Sequence, residues 1–147
     1  MNRYAYCHFC DDIRAEVGNK LSLMGMYRGE LHVPIMPTFL PKLSLAIYCT
    51  TEVDQPFKSM KIVVAWSNGT ILQDIELPGS ELATLSAQAV ENTSPEDPIT
   101  ILTIGANLNI VPFAIENEMT LIAKVIADGE ELVAGKLRVK HSPTLAL

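Results

Sequence analysis

The stretch MKIVVAWSNGTILQDIEL, residues 60–77, decides the fold class because its turn and its alternation define a β-hairpin. Asn68-Gly69 is a strong two-residue turn signal, since both positions tolerate positive φ. Counting outward from this turn predicts four cross-strand pairs: Trp66 with Ile71, Val64 with Gln73, Ile62 with Ile75, and Met60 with Leu77. All of these residues except Gln73 are apolar, so we expect this face of the hairpin to lie against the core.

A second hairpin follows near the C-terminus, where Asp128-Gly129 gives the same turn signal. It predicts the pairs Val125 with Leu132 and Ala123 with Ala134. Farther from the turn, strict counting would place Leu121 opposite Lys136. One extra residue at Gly135 returns Leu121 to Leu137, so we predict a β-bulge at Gly135.

Alternation with a period of two marks other segments as strands. Segment 43–51 places Leu43, Leu45, Ile47 and Cys49 on one face, and Ser44, Ala46, Tyr48 and Thr50 on the other. Segment 102–110 alternates in the same way, with Leu102, Ile104, Ala106, Leu108 and Ile110 on its apolar face. In segment 21–33, Gly25 and Gly29 interrupt the alternation, which predicts a bend or a close approach of backbone.

One helix and one proline-rich connection complete the predicted elements. Residues 80–91 are predicted as a helix with Ser80 as N-cap and an apolar stripe of Leu82, Leu85 and Ala89. Pro34, Pro37 and Pro41 predict an extended connection. About eight strands and one short helix predict a single domain, residues 1–147, folded as an antiparallel β-sandwich of immunoglobulin-like or jelly-roll type. A closed barrel is the alternative, because strand counting does not separate the two.

Composition and charge exclude several classes of partner. The net charge is −6 and the 11 basic residues are scattered, so we expect no binding to a nucleic-acid backbone, although a local pocket for a small anion stays open. We find no signal peptide and no apolar run of about 20 residues, so we expect no membrane span. The 3 cysteines fit a reducing compartment. We therefore expect a cytoplasmic protein, in a host cytoplasm or a virion if a phage encodes it.

The run CHFCDD, residues 7–12, raises the question of a metal or redox site. In an extended strand Cys7 and Cys10 point to opposite faces, with Cα atoms about 10 Å apart. A disulfide needs a Cα separation of about 4.4–6.8 Å, and no other Cys or His has the spacing of a zinc ligand. We therefore predict a strand that ends in a turn here, with Cys7 as a buried core thiol and no cofactor.

Asp11 and Asp12 have a structural and a functional interpretation. Carboxylates after a strand accept backbone N–H bonds and shape turns, and Arg14 would be their ion-pair partner. Alternatively, Asp11, Asp12 and Glu16 would hold calcium at one end of the sandwich. No alternating DxDxDG loop supports calcium, so these three residues are weak metal candidates.

Tyr4, Tyr6 and His8 alternate along the first strand and are predicted to share its outward face. Together they would form a stacking platform for a planar ligand. Arginines could then meet a phosphate group of that ligand; the candidates are Arg3, Arg14 and Arg28. Exposed aromatic residues are also common on strands, so a protein that sequesters a small, nucleotide-like signal of the host is the alternative function.

Four apolar residues are predicted to be exposed, which favours an interface. Met24 and Met26 fall on the polar face of their strand, and Met36 and Phe39 lie on the proline-rich connection. They predict a homo-oligomer or another protein partner, and covering the open end of a monomeric sandwich is the alternative. A hydrolase or metal enzyme is the third interpretation. It ranks last because no residue spacing marks a nucleophile beside a base. We therefore expect a non-enzymatic binding or assembly protein.

The N-terminal third resembles a family of bacterial and phage proteins of unassigned function. Members begin with a Cys-Asp-Asp-Ile-Arg stretch and continue with a Gly-Lys-Leu-Ser-Leu-x-Gly strand and a proline-rich connection. The matching residues are Cys10, Asp11, Asp12, Ile13, Arg14, Glu16, Gly18, Lys20, Leu21, Ser22, Leu23 and Gly25. Asn19 departs from the pattern, at a place where the family has a second glycine. The resemblance implies a virion or assembly component, or a small protein that binds a host factor or metabolite, and it carries over no catalytic residue.

Overall fold

The computed structural model describes residues 2–144, which form a β-sandwich of two sheets. Its strands are β1 (Tyr4–Glu16), β2 (Lys20–Met26), β3 (Glu30–Val33), β4 (Thr38–Leu40), β5 (Leu43–Glu52), β6 (Met60–Trp66), β7 (Ile71–Leu77), β8 (Ile101–Ile110), β9 (Phe113–Ile115), β10 (Met119–Ala127) and β11 (Glu130–His141), and helix α1 (Gly79–Glu91) lies between β7 and β8. The predicted sandwich is confirmed. We expected about eight strands because β3, β4 and β9 are too short for alternation to reveal.

The strand order shows two open sheets rather than a closed barrel. One sheet has the order β2-β1-β5-β8, the other has the order β3-β11-β10-β6-β7, and β4 and β9 form a separate two-stranded ribbon. Neighbouring strands are antiparallel except β3 and β11, which run parallel. The sandwich is antiparallel as predicted apart from this one pair, which is parallel because β3 joins the second sheet after the chain crosses over from the first.

The core lies between the two sheets and contains the apolar faces that the sequence predicts. Leu43, Leu45, Ile47 and Cys49 of β5 are buried, and so are Met60, Ile62, Val64 and Trp66 of β6. Trp66 stacks on Phe113 of the ribbon, with 5.4 Å between the ring centroids. Burial of this apolar surface is the main force that holds the sheets together.

The registers of both hairpins largely follow the counts from their turns. In the first, three of the four predicted pairs are confirmed, but a bulge at Leu72 places Ile71 opposite Ala65 rather than Trp66. In the second, Val125 lies opposite Leu132 and Leu121 opposite Leu137, as predicted. The extra residue is Ala134 rather than Gly135, and Gly135 instead pairs with Ala123.

The predicted bend at the two glycines is where the chain changes sheets. Gly25 and Gly29 have φ values of +67° and +88°, a region that glycine enters without a Cβ penalty. Gly25 also meets a close neighbour, because a Cβ there would lie 2.2 Å from Asp11 Oδ2. Both parts of the prediction, a bend and a close backbone approach, are confirmed.

Helix α1 begins earlier than predicted. Its N-cap residue is Pro78, whose carbonyl accepts the N–H groups of Glu81 and Leu82, so Ser80 already lies inside the helix. The predicted apolar stripe is confirmed, with Leu82 fully buried and Leu85 packed against the core. Ser80 fails as the N-cap because the extended backbone of Pro78 supplies the boundary two residues before it.

Candidate functional site

One side of the four-stranded sheet faces away from the core, and we call it the tyrosine face. Cross-strand partners in an antiparallel sheet point to the same side, so the registers define its members row by row. The rows are Tyr4–Thr50–Thr103, Tyr6–Tyr48–Gly105, His8–Ala46–Asn107 and Met26–Cys10–Ser44–Asn109. Met24 lies opposite Asp12 at the margin. The four rows contain no Lys, Arg, Asp or Glu.

Four aromatic rings form a continuous cluster on the tyrosine face. Tyr6 stacks on Tyr48 with 5.1 Å between ring centroids and lies 6.2 Å from Tyr4, and His8 meets the edges of Tyr6 and Tyr48 at 6.1 and 6.4 Å. The structure therefore brings the three predicted platform residues together. It adds Tyr48, which the alternation of β5 placed on an outward face without showing that β5 pairs with β1.

The floor of the tyrosine face is made of small, fully packed side chains. Ser44, Ala46 and Thr50 lie on the face of β5 opposite the core, yet each is at most 2% exposed. Ser44 Oγ donates to Asn109 Oδ1 at 2.7 Å, and the hydroxyls of Thr50 and Thr103 lie 3.2 Å apart. Because larger neighbours cover these residues and their polar groups are paired, the aromatic cluster rests on a rigid base.

A hollow opens at each end of the cluster, and the one beyond His8 measures about 610 Å³. Its lining contains no carboxylate; it consists of the polar residues Asn19 and Lys20 and the aromatic and apolar residues His8, Tyr48, Met26, Leu21 and Leu23. Leu21 pairs with Ala15, seven residues beyond His8, or about 23 Å along a straight strand. Because His8 and Leu21 nevertheless line the same hollow, the β1–β2 hairpin curves toward the tyrosine face.

The hollow at the opposite end, beside Tyr4, measures about 730 Å³ and is acidic. Glu52 and Asp54 line it, and Arg3 is the basic residue among its lining residues. The Arg3 guanidinium is already paired with Asp128, at 2.8 Å, so the two carboxylates keep their negative charge uncompensated. The two ends of the tyrosine face therefore differ in charge.

Arg3 is a structural latch rather than a phosphate ligand. Its guanidinium donates to Thr51 Oγ1 and to the Gln55 carbonyl, each at 3.0 Å, in addition to its ion pair with Asp128. It also lies over the ring of Phe57, 4.7 Å from the centroid. With 6% of its side chain exposed, Arg3 joins β1 to the β5–β6 loop and the β10–β11 turn.

The other two arginines predicted to meet a phosphate lie away from the aromatic cluster. Arg14 is six residues beyond His8 on β1, and Arg28 lies in the connection between β2 and β3. Neither residue lines either of the hollows described above. The cation that lines the hollow beside His8 is Lys20, which the sequence did not single out.

The paired aspartates lie within β1, which continues to Glu16, so the predicted turn after Cys10 is wrong. Asp11 accepts a 2.5 Å hydrogen bond from the Tyr27 hydroxyl, and Asp12 pairs with Lys42 rather than with Arg14. The Lys42 ammonium holds the pKa of Asp12 below its ordinary value. Among residues 2–144, no group of three His, Cys, Asp or Glu side chains converges as a metal site, and Asp11, Asp12 and Glu16 do not come together.

The three thiols are buried or half-buried and are all free. Cys7 lies against the second sheet, where a Cβ at Gly135 would come within 2.7 Å of its Sγ. Burial raises the pKa of Cys7 to about 12 and that of Cys49 to about 11, and it also raises the pKa of Cys10. This is the opposite of the shift that activates a cysteine nucleophile.

One serine–histidine contact lies outside the tyrosine face. Ser142 Oγ is 2.7 Å from His32 Nδ1, and His32 Nε2 is 3.8 Å from Glu30 Oε2. The second distance exceeds a hydrogen bond, and His32 and Glu30 are exposed to water. Arg138 and Lys140, which pair with Glu30 and His32 in the register, line a small hollow of about 190 Å³, and the three contact residues are not among its lining residues.

The four residues predicted to form an interface belong to two different surfaces. Met24 and Met26 are half-exposed beside the tyrosine face. Phe39 lies on the β4–β9 ribbon opposite Ala114 and is 64% exposed. Met36, in contrast, packs against the core.

No protein-family model matches this sequence, and no curated protein matches it. Among the described residues, no helix has the length and apolar character needed to cross a membrane. The resemblance of the N-terminal third to a bacterial and phage family therefore stays a prediction.

Proposed function

We propose that the protein is a non-enzymatic protein-binding module and that its tyrosine face docks the partner. The observation that carries this proposal is the absence of Lys, Arg, Asp and Glu from all four rows of a sheet face that does not pack against the core. A sheet with one solvated face normally alternates apolar core residues with polar outward ones. Here the outward positions combine threonine, serine and asparagine with exposed tyrosine and methionine, and none of them is Lys, Arg, Asp or Glu.

This composition matches the centre of protein–protein interfaces. Interface cores are depleted in Lys, Asp and Glu and enriched in Tyr and Met. Tyrosine supplies a large, amphipathic contact area with few rotatable bonds, while Ser, Asn and Gly supply adaptable hydrogen bonds. Tyr4 and Tyr6 are 53% and 40% exposed, so both remain free for contact.

The rigidity of the face supports the same proposal. The buried floor of β5 and the stacked Tyr6 and Tyr48 rings fix the cluster before a partner arrives. Preorganisation of this kind lowers the entropy lost on binding. Charged residues surround the face, with Asp12 and Lys42 at one margin and Glu52 at the other. An uncharged centre with a charged margin is the usual anatomy of a docking surface.

The test is site-specific photocrosslinking in cells that express the protein. A benzophenone amino acid at Tyr6 should join the chain to a protein, whereas the same group at Val133 should not. Val133 is the matched control because it is 50% exposed and apolar but lies on the five-stranded sheet. Equal adducts at both positions, or none at Tyr6, would contradict the proposal.

The hollow beside His8 favours a second candidate function, the sequestration of a small planar ligand. Its volume of about 610 Å³ suits a small molecule. His8 and Tyr48 would stack on a ring, and Lys20 would meet an anionic group. Native mass spectrometry of the purified protein tests this candidate: it predicts extra mass of a few hundred daltons, lost in Tyr48→Ala and kept in Val133→Ala. Bare mass for the wild type would contradict it.

A further inference from the structure

We infer that the partner of the tyrosine face is a second copy of this chain. In the dimer, the two faces meet with their strands in opposite directions, so that the Tyr4 end of one copy lies over the Lys20 end of the other. This inference rests on the proposed function and names the partner of the same surface.

The negative net charge of the chain favours the tyrosine face as the surface through which two copies associate. Each copy carries a net charge of −6, so two copies repel each other through most of their surfaces. The four rows of the tyrosine face contain no Lys, Arg, Asp or Glu side chain, so they bring none of these charges into contact. Self-association through this face therefore avoids placing like charges against each other.

The two end hollows set the direction in which the faces pair. Lys20 lines one hollow without a carboxylate, and Glu52 and Asp54 line the other. A two-fold axis that crosses the strands within the interface places the Lys20 end of each copy on the acidic end of its partner. An axis along the strands would place Glu52 and Asp54 of the two copies together, which like-charge repulsion disfavours.

The area of the face is enough for a weak dimer. The rows of Tyr4, Tyr6 and His8 span three strands, and β2 joins only from the row of Cys10 onward. Three strands about 4.8 Å apart over about eight residues of about 3.3 Å each, with the short overlap of β2, give roughly 400 Å² per copy. The total of roughly 800 Å² lies in the range of weak, transient contacts, below that of a stable specific interface. We therefore expect an equilibrium between monomer and dimer in the micromolar range.

Sedimentation equilibrium from about 1 to about 200 µM tests the partner. The wild type should dimerise, Tyr6→Glu should weaken dimerisation at least about 100-fold, and Phe39→Glu on the ribbon should dimerise like the wild type. Circular dichroism should show that all three are folded. A wild type that stays monomeric, or a dimer that Phe39→Glu breaks and Tyr6→Glu keeps, overturns the inference. A Tyr6 photocrosslink to a different protein would then leave the proposed function standing.

A charge exchange tests the direction. Glu52→Lys and Lys20→Glu should each weaken the dimer about threefold to tenfold, and the double variant should recover the wild-type affinity. In the other orientation Glu52 faces Glu52 and Lys20 faces Lys20 of the second copy, so the double variant would not recover affinity relative to the single variants. A double variant that is as weak as the single ones, or single variants that dimerise like the wild type, overturns the opposed-strand dimer.

Discussion

Arg3 exposes little of its side chain, and its removal should destabilise the fold. The guanidinium makes hydrogen bonds to Thr51, Gln55 and Asp128 and lies over Phe57. These partners belong to two segments, residues 51–57 at the end of β5 and in the loop after it, and the β10–β11 turn, and both segments are distant in sequence from Arg3. We predict that Arg3→Ala loosens this end of the sandwich.

The magnitude follows from the contacts. A hydrogen bond to a charged group contributes about 1.5–3 kcal/mol, and the contributions of neighbouring bonds do not add fully. Asp128 is 27% exposed, so water will partly replace its lost partner. We expect Arg3→Ala to lower the free energy of unfolding by about 3 kcal/mol, and Arg3→Lys by about half of that, because lysine lacks the guanidinium fork.

Urea unfolding followed by circular dichroism measures this loss, and thermal unfolding should show a decrease in Tm of about 6–12 °C. Arg28→Ala is the matched control, since Arg28 is an exposed arginine and should change the free energy of unfolding by less than about 0.5 kcal/mol. If the free energy of unfolding of Arg3→Ala lies within about 0.5 kcal/mol of the wild-type value, the contacts of Arg3 make no net contribution to stability and the reasoning is refuted.

The same latch should weaken in acid. Desolvation alone would raise the pKa of Asp128, but the Ser59 N–H, the Arg3 guanidinium and the Lys58 N–H outweigh it and hold the pKa below 3.8. A depressed pKa contributes stability that is present above the unfolded value and lost as the pH falls through the folded one. The difference in the free energy of unfolding between the wild type and Asp128→Asn should therefore be largest at neutral pH and decrease below pH 3.8. A difference independent of pH would contradict this.

The remaining predictions concern a glycine and the thiols. Gly25→Ala should lower the free energy of unfolding by about 2–3 kcal/mol, because it combines positive φ with a clash against Asp11. Gly29→Ala has positive φ without the clash and should lower it by about 1 kcal/mol. Equal losses would show that the clash is relieved. At pH 8, Ellman's reagent should modify Cys7 and Cys49 at least about 100-fold more slowly in the native protein than in urea, because burial raises their pKa values; rapid native labelling would contradict their burial.

The local part of the fold was predictable because turn chemistry fixes register. Asn68-Gly69 and Asp128-Gly129 specified their hairpins from residues close together in the sequence. The errors came from packing at a distance: the extra residue of the second hairpin falls at Ala134, and Gly135 lies under Cys7 of the other sheet. The parallel pairing of β3 with β11 joins residues more than a hundred positions apart, which periodicity does not record.

The candidate site was half predictable for the same reason. Alternation placed Tyr4, Tyr6 and His8 on one face of β1, and it placed Tyr48 on the outward face of its own strand. Only the pairing of β1 with β5 joins these residues into one cluster. The partners of charged groups were the least predictable, as Asp12 shows by pairing with Lys42, 30 residues away, rather than with the nearby arginine.

Hydroxyl-radical footprinting of the tyrosine face in living cells tests the central claim most directly. The side chains to follow are Tyr6 and Met26 on the face, with Phe39 and Val133 as exposed references. If the face docks a protein, Tyr6 and Met26 should be modified several-fold more slowly in cells than in dilute purified protein, while the two references keep their rates. Equal rates for Tyr6 and Met26 in both settings would show that the face is bare in the cell and would contradict the account.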